Sequence, residues 1–434
     1  MGFSKGDVEK LTVALAEPGW LAERRLEAWG YFEKLELPKE KDEPWRYTDL
    51  KRMRFSLDRF SALEPGRTGA GAVLSEVDPV LAKSGVVHTS LSAAVESHPD
   101  LVRRYLFSEY HAGQDIFTAL HGALFSGGSF LYVPRGVEVA VPFEALHQVP
   151  EGGIGLFPHD LIVVEEGAAL VYLDRYGSAE LEVPSLSGSG VEIVAGAGSS
   201  VTFVTLQEYG RGVWHFQTQR AACGRQTALR SLLVTMGGTF SRAQVETSLR
   251  GEHGDCQMLG LYFAEGNQHF DMRTLQDHAA PSCTSDLLYK GALKDTSHTV
   301  YSGLIRVHPG AAKTDAYQAN RNLVLSDHAK ADSKPELEIL NNDVRCTHGS
   351  TVGQVDEDQL FYLQSRGVSR EEAQRLIVEG FFEDVINRVR IEEVRSALHE
   401  AIARKQGGSG GVAALFGSNE RAPEAAVPPK QGEA

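Results

Sequence analysis

Cys346 and His348 stand two residues apart in NNDVRCTHGSTVG, Asn341 to Gly353, in a chain with only four cysteines. A thiolate and an imidazole together suit zinc, copper or the iron of an iron–sulfur cluster. If DVRCTH is the last strand of a β domain, residues i and i+2 project from one face. Thiol and imidazole then lie side by side, with Gly349 adding little bulk next in the chain. A stable site wants about four protein ligands, and this stretch offers half of that. No CxxC and no further Cys–His pair lies near. Three readings stay open. The pair is structural, which spacing alone favours; or distant residues of this chain complete a site; or a second chain completes it, which would make the site interfacial and labile.

Other chemistries are excluded or demoted. No GxxxxGK[ST] loop occurs, so the chain is not expected to hydrolyse nucleotides by itself. No HExxH occurs, and GRGVWHF lacks both the GxGxxG spacing and a following helix. Asp271, Asp277 and His278 are a candidate acid–base group, but scattered Asp and His on a β-helix usually solvate turns and sheet faces. Cys223, Cys256 and Cys283 are isolated and read as small buried hydrophobes. Without a disulfide framework or a signal peptide, the expected setting is a reducing, cytoplasmic one. MGFSKG resembles a myristoylation start, but Gly6 stands where Ser or Thr is needed. A formal net charge of −15 and a pI near 5.5 argue against nucleic acid and against anionic lipid as partners. No apolar run approaches transmembrane length.

The elements that would position Cys346 and His348 come from the change of texture along the 434 residues. The first hundred or so look mainly helical: the apolar spacing of Trp20, Leu21, Leu26, Trp29 and Phe32 fits a helix. Ser97 is a plausible cap for PDLVRRYL, and Ile116, Leu120 and Leu124 form a helical stripe stopped by Gly127-Gly128. From Ser129, short β-prone runs such as DLIVVEEG, SVTFVTLQEY and SHTVYSGLIRV follow one another between Gly, Asp, Asn and Pro. Their centres fall about 10 to 20 residues apart, which suits the coils of a solenoid. A β-helix can grow coil by coil, whereas a sandwich of this length would split. The spacing predicts a right-handed parallel β-helix, with a sandwich or cupin-like barrel second.

After Gly353 helices return, with Asp356 and Gln359 as a capping pair, Gly367 as a stop, and Ser369 with Glu372 as a second capping box. Behind it, Ala373, Leu376, Ile377, Gly380, Phe381, Asp384 and Val385 form a stripe broken by one acid. Packing on the β domain is the favoured use of that stripe, and a docking surface the other. The expected organisation is an N-terminal mainly helical region over 1–125, a β-helix core over 126–353, a C-terminal helical domain over 354–405 and a flexible tail over 406–434.

The stretch NNDVRCTHGSTVGQVDEDQLFYLQSRGVSREEAQRLIVEGFF closely resembles the end of the SufB/SufD scaffold proteins of the SUF iron–sulfur cluster assembly system. LFSGGSFLYVPRGV, Leu124 to Val137, resembles the start of their β core, and EPWRYTDL, Glu43 to Leu50, the N-terminal signature of the SufD branch. The branch follows residue by residue. SufB-like chains carry His followed by Glu in the final strand, whereas here His348 is followed by Gly349 and preceded by Cys346. They also carry a cluster-related cysteine where this chain has Asn320.

The resemblance implies a non-catalytic scaffold that pairs with SufB through the β-helix cores. It places a nascent, transient iron–sulfur cluster at their interface, with His348 as a candidate ligand and Cys346 as a neighbouring ligand or sulfur relay. It also implies that the C-terminal helices dock the SufC ATPase through Gln359, Phe361, Tyr362, Arg366 and Gly367, and it allows a homodimer when the chain is alone. The family's complex has been associated with reduced flavin, for which this chain carries no motif. The rival readings are a β-helix carbohydrate-active enzyme, against which the missing signal peptide counts, and a SufB-like homodimeric scaffold, against which Asn320 counts.

Overall fold

In the computed structural model of the chain, residues 2–64 and 72–407 are described. From His159 to Gln354 successive strands alternate between two sheets, and each is parallel to its neighbours within its sheet. Val213–Cys223 lies between Ser185–Ala195 and Phe240–Leu249 in the first sheet. Ala228–Thr235 lies between Ser200–Glu208 and Asp255–Ala264 in the second. One coil therefore takes a strand from each sheet, and the strand spacing seen in the sequence is half a coil. The full repeat shows where Gln207 reaches the carbonyl of Gly237, 30 positions on. This is the expected parallel β-helix.

Alternation along each strand fills the lumen from both sheets with Phe203, Leu229, Met258, Tyr262, Phe270 and Tyr289, among others. The outer faces are covered too, which is why many strands read as continuous apolar runs; His159–Val164 is buried at every position. On the first sheet, Trp214, Phe216 and Phe240 pack under Trp45, Phe55 and Phe117 of the N-terminal region. On the second, Leu259, Leu261 and Phe263 pack under Val378, Phe382, Val385, Leu398 and Ile402 of the C-terminal helices.

The N-terminal region is mainly helical, as expected, but it also contributes short strands that helical spacing hides. Val73–Leu74 and Val87–Ser90 add antiparallel to the first strands of the two sheets. These additions cover the N-terminal sheet edges. The helix Pro99–Tyr105 starts from His98, not from Ser97, whose hydroxyl instead bonds back to Ala93 and to the His98 ring. The stripe helix ends at Leu124, ahead of the two glycines. Gly128 is needed for a different reason: φ is +95° and an added Cβ would meet the His159 carbonyl oxygen at 2.0 Å.

Three helices follow the last coil, Glu357–Ser365, Arg370–Ile386 and Glu392–Lys405. The Asp356 carboxylate accepts from the backbone of Asp358 and Gln359, Ser369 accepts from Glu372, and Gly367 sits at φ +87°. The second helix packs on the β domain, rotated from the expected stripe: Ala373 and Val385 are buried, Leu376 is not, and Val378, Phe382 and Ile386 complete the inner face. The stripe's one acid, Asp384, receives the buried Lys290 ammonium at 2.5 Å. Of the tail expected from 406 onward, all but Gln406 and Gly407 lies outside the described residues.

Candidate functional site

The two ends of the solenoid differ. At the C-terminal end, Lys330–Ile339 and Val344–Gln354 are the last strands of their sheets, with no strand beyond them among the described residues. Every residue from Thr347 to Gln354 is exposed. A solenoid end exposes unpaired backbone groups and the floor of its core. Val344, Cys346 and His348 continue the inward ladder of the preceding strand, in register with Thr314, Ala316 and Gln318, all of which are buried. Cys346 packs beside Val344 against Ile305, Val307 and Ala316. His348, two residues further, is exposed. At the mouth Leu337, Ile339, Leu340 and Val352 are exposed large hydrophobics, interleaved with charged residues such as Lys334, Glu336 and Glu338.

The Cys346–His348 strand is thus where sequence spacing placed it, with both residues on one face. Their Cα atoms are roughly 6.5 Å apart along the strand. Burial first, and Asp315 second, push the Cys346 thiol above its ordinary range, so in the lone chain it is a thiol and not a thiolate. The described His, Cys, Asp and Glu side chains do not close a third ligand around this pair.

One strand inward lies a polar centre. Asn320, in register with Ser350, is fully buried in the lumen. Its amide donates to Tyr262 Oη at 2.9 Å, and its carbonyl accepts from Asn322 at 2.7 Å and from Ser333 Oγ of the opposite sheet at 2.7 Å. Asn322 in turn accepts from Tyr262 at 2.6 Å. In the sequence Asn320 stood out only as a replaced cysteine; its partners are 58 and 13 residues away, and only the coil repeat brings them together.

The residues expected to dock a partner all lie on the surface: Gln359, Phe361, Tyr362, Arg366 and Gly367 are exposed, Phe361 at 73% and Tyr362 at 57%. The Arg366 guanidinium sits over the Tyr362 ring, 5.3 Å from its centroid. The face is built by Leu360, the buried residue of this helix, which turns its aromatic neighbours outward.

Asp271, Asp277 and His278 do not form one centre. Asp271 is buried and paired with Arg242 and with Arg273 at 2.7 Å, and it accepts from Thr48 at 2.8 Å. Burial pushes its carboxyl up, but the two guanidiniums hold it down to about 2. Asp277 takes Ser248 and His308, and His278 faces Ser285. Thr48 belongs to EPWRYTDL, whose Pro44 carbonyl accepts from Arg242 and whose Trp45 ring lies under that guanidinium. That motif is a clasp on the outer face of the first sheet. A buried centre that sequence spacing missed joins His147, Asp160 and Asp174 in the lumen near the N-terminal end. Burial opposes the charge on His147, but Asp160 and Asp174 hold the imidazole up to about 10, while burial pushes Asp174 up to about 6.

Residues 147–381 match the family model described as the SufBD core domain of SUF system FeS cluster assembly, and residues 72–144 match the SufBD protein N-terminal region. An iron–sulfur cluster assembly SufBD family protein of Mycobacterium leprae is 33% identical, over 85% of this chain and 90% of its own length. The iron–sulfur cluster assembly protein SufD of Bacillus subtilis is 30% identical, over 90% of this chain and 94% of its own. A SufBD family protein of Mycobacterium tuberculosis is 34% identical, over 85% and 89%.

Proposed function

The chain belongs to the SufBD family of iron–sulfur cluster assembly proteins, and we propose that it serves there as a non-catalytic, SufD-type scaffold subunit. In this reading its open solenoid end pairs with SufB, and the cluster is a transient cargo built at that junction. The observation that carries the reading is the terminal strand Val344–Gln354, exposed along its length from Thr347 and presenting His348 and Cys346 at the mouth. A partner's edge strands would satisfy the unpaired backbone and cover the exposed Leu337, Ile339, Leu340 and Val352. The partner would bring the missing ligands, since this chain offers half a set. His348 acts as a neutral imidazole ligand, and Cys346 becomes a ligand or relay once contact with iron lowers its thiol pKa. A site with few ligands from each chain can open for release.

The C-terminal helices dock the SufC ATPase in this reading. Phe361 and Tyr362 are exposed aromatics beside Arg366, a composition enriched in binding hot spots. The chain has no nucleotide loop of its own, so the energy input falls to that partner. The same open end would join two copies of this chain when SufB is absent. Among the described residues no helix is long and apolar enough to cross a membrane.

The test is co-expression with SufB and SufC, then anaerobic reconstitution with iron and sulfide, comparing wild type with His348→Ala. The expected result is a complex of unchanged size that loses cluster absorbance. A His348→Ala complex that builds cluster normally would leave this chain a shaping role without contact to the metal.

A further inference from the structure

We propose that His147, Asp160 and Asp174 hold a divalent first-row cation inside the N-terminal end of the solenoid, a site separate from the Cys346–His348 mouth. The ligands come from three strands and both sheets: His147 from Phe143–Gln148, Asp174 from Ala169–Gly177, and Asp160 from His159–Val164 opposite. His147 Nε2 is 3.0 Å from an Asp160 oxygen and 3.2 Å from an Asp174 oxygen. All three donor atoms lie within 4.8 Å of one another. Neighbouring donors on a cation with bonds of about 2.1 Å are about 3.0 Å apart at right angles and about 3.4 Å apart in a tetrahedron.

These contacts are ion pairs in distance but not aligned hydrogen bonds. His147 Nε2, Asp160 Oδ2 and both Asp174 oxygens are buried without a hydrogen-bond partner. A single N–H could serve one carboxylate only, and here it is aligned with neither. Tyr176 adds to the cluster. Its hydroxyl is buried and turned toward Asp174 without an aligned hydrogen bond, while its ring stacks on His147 at 4.9 Å. Four such polar atoms and a phenol gathered at one buried point, two of the groups carboxylates, would be costly without an occupant.

The remaining order suits a ligand shell. Asp160 Oδ1 accepts from the Ser129 backbone at 2.7 Å and from its hydroxyl, which is itself 2.6 Å from Tyr172 Oη. That fixes the rotamer and leaves Oδ2 for the centre. A cation would displace the proton that the two carboxylates hold on His147, and the resulting imidazole with two carboxylates carries two negative charges, which a divalent cation cancels. One nitrogen and two oxygens, with no thiolate, fit Zn2+, Mn2+ or Fe2+ and do not fit Cu+ or an iron–sulfur cluster. No ligand is more than 2% exposed, so the cation would enter as the coils close and would stabilise the fold.

The test uses the full chain with Cys346→Ser and His348→Ala, which removes the mouth as a competitor. The protein is refolded with Zn2+, with Mn2+ or without metal. Native mass spectrometry counts the bound ions, and thermal unfolding reports the gain. The expected result is one cation per chain, retained through EDTA dialysis of the folded protein, with Tm raised by a few degrees. Asp174→Asn and His147→Gln, checked for fold by circular dichroism, should lose the ion and the Tm gain. The proposal is overturned if the chain refolded with metal carries no cation and melts unchanged. It is equally overturned if either folded variant keeps the ion. The ion count on the unmodified ligand set decides the first outcome even where a variant fails to fold.

Discussion

Ser333 Oγ donates to Asn320 Oδ1 at 2.7 Å, a bond that spans the lumen from the last strand of one sheet to the penultimate strand of the other. It ties the open coil to the Tyr262–Asn322 pair behind it. The mouth is therefore exposed but not loose: its inner wall is pinned by a polar chain that is closed on itself.

Removing the centre of that chain should be felt. Asn320→Ala leaves Tyr262, Asn322 and Ser333 short of partners, two of them buried, and should cost about 1–3 kcal/mol. Ser333→Ala should cost less, because Ser333 is only half-buried and water can replace it. Urea unfolding of the two variants should rank them in that order, and equal midpoints would refute a closed network.

Two glycines separate folding from function. Tyr262 lies across Gly291 of the next coil, where a Cβ would stand 1.9 Å from the ring. Gly291→Ala should therefore destabilise the lumen by about 1–3 kcal/mol or prevent folding. Gly349, beside His348, has nothing within 4 Å of an added Cβ. Gly349→Ala should melt within about 0.5 kcal/mol of wild type. A larger Gly349→Trp should leave the melt unchanged yet block pairing with SufB, read by size-exclusion chromatography of the co-expressed chains. Normal pairing by Gly349→Trp would move the interface elsewhere.

Acid should loosen the N-terminal clasp. Asp271 has its folded pKa at about 2, below the ordinary 3.8, because Arg242 and Arg273 outweigh its burial. A depressed carboxylate contributes stability that is complete above the unfolded pKa and is lost as pH falls through the folded one. The contribution is on the order of 2 kcal/mol and should fade between about pH 4 and pH 2. Asp271→Asn would leave Arg242 buried beside a neutral amide, at a cost of about 3–5 kcal/mol near neutral pH. The stability gap between wild type and Asp271→Asn should narrow as pH drops through that window. A gap that stays constant would mean that Asp271 is not the titrating group.

How far the sequence reached depended on range. The final strand, the i, i+2 placement of Cys346 and His348, and the caps at Asp356 and Ser369 are local, and the residues themselves carry them. The half-coil spacing was visible, but no repeat motif marks it, because the coils share a shape and not a sequence. The clasp of Thr48 on Asp271 spans 223 positions. The grouping of His147, Asp160 and Asp174 crosses from one sheet to the other. Neither has a local signal, since both depend on how many residues each turn spends. The helix Arg370–Ile386 was placed but its face was rotated: Val378, Phe382 and Ile386 face the sheet, while Asp384 stays at the exposed margin, where Lys290 reaches it.

That rotation sets up the last prediction, in which neighbouring helices carry opposite duties. Phe382 is fully buried, its ring 6.3 Å from Phe263 of the second sheet. Phe382→Ala should cost about 3–5 kcal/mol by opening a cavity between helix and solenoid. Phe361 and Tyr362 touch no such core, so Phe361→Ala with Tyr362→Ala should leave the melt within about 1 kcal/mol of wild type. If these aromatics anchor the ATPase, the double variant should bind purified SufC at least ten-fold more weakly, since hot-spot truncations exceed about 1.4 kcal/mol. Isothermal titration of SufC into each folded protein separates the two roles. A double variant that binds like wild type would remove the helix Glu357–Ser365 from the docking face. Weakened binding by Phe382→Ala alone would instead mean that docking needs the whole helical layer held on the sheet.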